Sequence, residues 1–74
     1  MTRGTDSAGH RYEEFDMSDQ EQVRVTYIPH QDWASGPTIR IQKRAHDGRV
    51  VRGPEFPASK AEDLIRAIRD VLEQ

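Results

Sequence analysis

Apolar and polar side chains alternate through residues 23–28 and again through 38–44, and after residue 60 the apolar step lengthens to three and four. The first period is that of a half-buried strand and the second that of an amphipathic helix. Val23-Arg24-Val25-Thr26-Tyr27-Ile28 is rich in β-branched and aromatic residues and is closed by Pro29, so it is expected to be a strand. Thr38 to Arg44 places Ile39 and Ile41 on one face and Arg40, Gln42 and Arg44 on the other. Between them His30 to Pro37, with Trp33 and the turn-prone Ser35-Gly36-Pro37, predicts a loop. Asp47-Gly48 predicts a hairpin that returns through Arg49-Val50-Val51-Arg52. A two-residue turn there sets Val50 opposite Ala45 and Lys43 opposite Arg52, a like-charge pair that a three-residue loop avoids.

Gly53-Pro54 and Pro57 break the strand pattern, and Ser59-Lys60-Ala61-Glu62 has the form of a capping box that starts a helix. In that helix Ala61, Leu64, Ile65, Ile68, Val71 and Leu72 form one apolar stripe, with Arg66, Arg69, Asp70 and Glu73 outside it. The stripe has to cover the chain's own sheet, the default expectation, or a second chain. At the other end Met1 to Gly9 offers almost nothing to bury, and Tyr12, Phe15 and Met17 keep neither period cleanly. The reading is therefore an α+β domain in residues 21–74: a three- to four-stranded antiparallel sheet followed by one C-terminal amphipathic helix. Residues 1–20 are expected to be an acidic, mostly disordered leader, with a short edge strand near Phe15 as its one ordered element.

Composition narrows the class. With 74 residues, 34% hydrophobic and 32% charged, the chain has material for one modest core and no second domain. It has no cysteine, so disulfides do not supplement that core, and some self-association is expected instead. No apolar run reaches the roughly 18 residues of a membrane span, and the first ten residues lack the apolar stretch of a secretory signal, so no membrane association and a cytoplasmic location are expected. The net charge of −2 conceals three blocks: residues 1–22 carry −4, residues 23–53 carry +4 and residues 54–74 carry −2.

The basic middle block supplies the candidate chemistry. Arg24, Arg40, Lys43, Arg44 and Arg52 are candidate phosphate contacts, and Tyr27 and Trp33 candidate stacking surfaces, the combination used by single-strand binders. About four neutralised phosphates would make log affinity fall with log salt at a slope of roughly −3. The acidic leader also has the charge to lie over this basic surface and compete with a polyanion. His10, His30 and His46 match no common ligand spacing, so no metal and no cofactor is expected. Ser59 is accounted for as a helix cap, Ser35 lies in a turn without a motif, and Glu13-Glu14 sits in a segment with no means of holding two carboxylates in place, so an enzyme is not expected.

The run Thr38-Ile39-Arg40-Ile41, then Asp47-Gly48, Arg52-Gly53, Phe56 and Leu64-Ile65-Arg66-Ala67-Ile68, resembles the single-stranded-DNA-binding transcriptional coactivators of the positive cofactor four type over about half the chain. The resemblance implies a curved antiparallel sheet that binds melted DNA and a helix that dimerises. Two departures stand out. Arg52-Gly53-Pro54 interrupts the fourth strand of that pattern, and the helix lacks an aromatic residue near its start. The function expected is thus that of a small nucleic-acid-binding, transcription-related accessory protein acting on single strands with little sequence preference, with a homodimer through the C-terminal helix as a further partner expectation. The alternative is a protein-interaction module or regulatory adapter that uses a sheet edge or helix face.

Overall fold

A computed structural model describes all residues 1–74 as an α+β fold. Five strands, β1 (Thr2–Thr5), β2 (Arg11–Ser18), β3 (Glu21–Ile28), β4 (Thr38–Arg44) and β5 (Val50–Pro57), form one antiparallel sheet in sequence order. A 3₁₀ turn, Ala58–Lys60, leads into helix α1 (Ala61–Leu72). Each connection joins neighbouring strands, as expected when loops are short and pairing is antiparallel.

The leader expected to be mostly disordered is instead the first two strands; the strand expected near Phe15 is present as β2, but β1 pairs with it, so it is an inner strand and not an edge. Asp6 makes the β1–β2 turn: its Oδ1 accepts from the backbone N–H of Ala8 (2.9 Å) and His10 (2.8 Å). Gly9 supplies the left-handed residue at φ 86°. Side-chain-to-backbone closure of this kind needs no apolar content, which is why hydrophobic pattern missed it. Tyr12 then lies directly over Gly4, where an added Cβ would stand 2.5 Å from the phenol oxygen.

The β4–β5 hairpin takes the three-residue form, with Arg44 opposite Val50, Lys43 opposite Val51 and Gln42 opposite Arg52. Ala45 N–H donates to Arg49 O and Gly48, at φ 85°, completes the loop. The like-charge pairing of Lys43 with Arg52 is thereby avoided. Gly53-Pro54 does not end the strand, contrary to expectation. A bulge opposite Ile41 absorbs one extra residue, Pro54 brings no N–H needing a partner, and Gly53 lets the backbone approach the Ile41 carbonyl where any side chain would collide.

The helix forms where the three- and four-residue period predicted it, but the Ser59 cap does not. A 3₁₀ turn occupies residues 58–60, and no side chain caps the helix. Ala58 N–H instead donates to Pro37 O (2.9 Å), tying the helix start to the β3–β4 loop. The helix does not lie on the sheet, and none of its residues is buried. Only five residues in the whole chain are buried, of which Ile28 and Ala45 are apolar.

Candidate nucleic-acid interface

Alternation along β3 and β4 sorts the basic block onto two faces. On one, Arg24 stands opposite Gln42, Thr26 opposite Arg40 and Ile28 opposite Thr38. Neighbouring strands add Tyr12, Glu14 and Asp16 from β2, and Arg52 and Glu55 from β5. The other face carries Val23, Val25, Tyr27, Ile39 and Ile41, with Phe15 and Phe56 beside them. Arg24, Arg40, Arg44 and Arg52 therefore do emerge together, whereas Tyr27 and Lys43 point to the opposite side. Tyr27 lies under the Arg11 guanidinium (4.5 Å to the ring centroid) and Lys43 pairs with Glu21 (3.6 Å). Single-residue alternation separates Lys43 from Arg44, so the expectation of both on one platform is corrected.

Carboxylates occupy the same face as the four arginines. Glu14, 5% exposed, accepts from Arg24 Nε at 2.6 Å and from Arg44 Nε and Nη2 at 3.0 and 3.2 Å. The Arg44 hydrogen bonds hold the Glu14 carboxyl below the usual carboxylate range; burial opposes this and Arg24 reinforces it. The Arg24 guanidinium also stacks on Tyr12, 3.8 Å from the ring centroid. Glu55 takes Arg40 Nε (2.8 Å), Thr38 Oγ1 (2.8 Å) and Gln31 Nε2 (2.6 Å). Burial pushes the Glu55 carboxyl up, and these three hydrogen bonds together bring it below its ordinary value. The acidic leader does reach the basic block, as one strand of the sheet and not as a loose competitor.

Arg52 has no carboxylate partner among the ion pairs of the chain. It lines a cleft of about 330 Å³ with Trp33, Gln31, Arg40, Gly53 and Glu55. Trp33 is 58% exposed there, so the β3–β4 loop presents its indole outward instead of folding it over the core. Four arginines against Glu14 and Glu55 leave a local excess of +2 on this part of the face, with Asp16 at its far corner. The side chains that sequence reasoning missed are Tyr12, Glu14, Gln31 and Glu55. Glu14 sits three residues from Arg11 within an acidic run and carries no local signal for a partner thirty residues away.

No helix is long and apolar enough to cross a membrane. No protein-family model matches the chain, and neither curated proteins nor solved structures provide a match.

Proposed function

We propose that the chain binds single-stranded nucleic acid with little sequence preference, on the arginine-bearing face at its Trp33–Arg52 end. The observation that supports this is one face on which four guanidiniums meet two carboxylates, beside an outward-facing indole. Arg52 contacts phosphate as a free cation, and Trp33 stacks on a base, a contact tolerant of sequence because every base has a π face. Arg24, Arg40 and Arg44 present their remaining N–H groups from positions fixed by Glu14 and Glu55. With an excess of about two charges, log affinity falls with log salt at a slope of roughly −1.4, shallower than five unpaired cations would give.

Trp33 is the only tryptophan, so its fluorescence reports contact directly. Titration with a short oligothymidylate should quench it and shift the amide resonances of residues 38–44 and 50–55. Arg52→Glu should abolish the response and Trp33→Ala should weaken affinity by about 1–3 kcal/mol. An unperturbed spectrum at millimolar oligonucleotide, or shifts confined to the Tyr27 side, would remove the reading.

A second reading, a protein-interaction module, is favoured by a different observation. The apolar stripe of α1 is open, with Ile68 51% and Leu72 78% exposed, and so is the apolar sheet face. Substitution of Leu72 by Asp should then abolish partner binding, while Arg52→Glu leaves it intact.

A further inference from the structure

The molecule exposes 5742 Å², about 1,100 Å² more than the roughly 4,650 Å² expected of a compact monomer of 8.5 kDa. Two apolar surfaces lie open, and they do not cover each other. One is the α1 stripe of Leu64, Ile65, Ile68, Val71 and Leu72, whose exposure rises toward the C-terminus to 78% at Leu72. The other is the apolar sheet face, where Phe15, Val25, Tyr27 and Ile39 line an open trough of about 700 Å³ to which the helix contributes no residue.

We infer that each helix docks its apolar stripe in the trough of a second copy of the chain, forming a two-fold dimer in which helix and sheet are exchanged reciprocally. The inference gives a definite occupant to the surfaces of the second reading above. Dimensions are similar: twelve helical residues span about 18 Å, and the strands that line the trough, β1 to β4, together about 14 Å across. Two copies that each hide the excess bury about 2,200 Å² in total, the range of stable dimers and well above incidental contacts. Because the same two patches meet twice, the assembly closes at two copies and does not propagate. The arginine face lies on the opposite side of the sheet and stays open in this dimer.

The test uses the full chain without nucleic acid, which separates it from the polyanion reading. Sedimentation equilibrium at tens of micromolar should give about twice the 8.5 kDa chain mass. The native chain has no cysteine, so Ile68→Cys and Val25→Cys chains can be mixed under mild oxidation. A disulfide between the helix of one variant and the sheet of the other is the expected product, formed only in the mixture. Preferential self-linking of Ile68→Cys would place helix against helix and overturn the exchange, as would a dimer in which no mixed link forms. A folded 8.5 kDa monomer overturns the proposal outright. If that monomer also binds a hydrophobic fluorophore strongly, its apolar surfaces await a different protein; if it does not, the second reading falls too.

Discussion

Replacing Glu14 by Gln should be among the most damaging single changes to this fold. Glu14 is 5% exposed and receives three hydrogen bonds from two guanidiniums, one of which, on Arg24, is itself mostly enclosed. The amide keeps the shape but loses the charge, and its NH₂ group faces donors. Breaking one member of a buried ion pair costs about 3–5 kcal/mol; the Arg44 side chain is 36% exposed and screened by solvent, which places the expected loss near the lower end, about 3 kcal/mol. A domain of this length has roughly 4–11 kcal/mol in all, so the loss is a large share. It corresponds to a fall in Tm of about 12 °C or more. Circular dichroism melting at pH 7, with protein concentration held fixed because association also stabilises, gives the measurement. Glu13→Gln is the control, since that residue lies on the other face and its bridge to Arg3, at 3.9 Å, is exposed. If the two variants melt within about 2 °C of each other, the buried cluster is not a principal support of the sheet.

Acid should reproduce part of the Glu14→Gln effect. Glu14, Glu55 and Asp6 all have folded-state pKa values below their ordinary ones, Asp6 chiefly through its hydrogen bond from the His10 backbone. Their contribution is therefore complete above the unfolded carboxylate values, 4.5 for the two glutamates and 3.8 for Asp6, and disappears as pH falls through the lowered folded ones, so urea midpoints should be level from pH 7 to about 5 and then drop. Wild type and Glu14→Gln should converge along that descent; a constant gap down to pH 2 would contradict the assignment. Thr26, 1% exposed, has a buried Oγ1 without a hydrogen-bond partner, so Thr26→Val should raise stability by about 1 kcal/mol in urea unfolding. Gly53→Ala should lower it by about 2 kcal/mol, because the new methyl meets the Ile41 carbonyl oxygen of the adjoining strand; an unchanged midpoint would show that the bulge relaxes freely.

The alternating runs, the Asp47-Gly48 turn and the three- and four-residue apolar step made β3, β4, the hairpin and the helix legible. Each of these depends on neighbours within a few residues: the two-residue pleat, the glycine that accepts a left-handed turn, the three- and four-residue helical step. The cap at Ser59 was a local signal overridden by the hydrogen bond from Ala58 to Pro37, which fixes the entry to the helix from outside its own sequence. The strand at residues 2–5 and the full extent of the one at 11–18 were hidden because their pairing rests on polar turn closure and on an arginine–glutamate cluster, and neither leaves an apolar period.

By itself the sequence determined that Arg40 and Arg44 share a phase of the pleat, that Ile39 and Ile41 oppose them, and that the last helix has one apolar side; that Arg24 joins the two arginines rests on the β3–β4 register. Those are consequences of bond geometry repeated along a strand or helix, and they hold whatever else the chain does. Only the tertiary structure decided how much of that positive charge is available, since Glu14 and Glu55 reach the arginines from strands that register brings alongside. It also decided that the helix leaves its own sheet uncovered. Attraction between distant charges and the closing of one surface on another depend on positions in space, to which spacing along the chain gives no access.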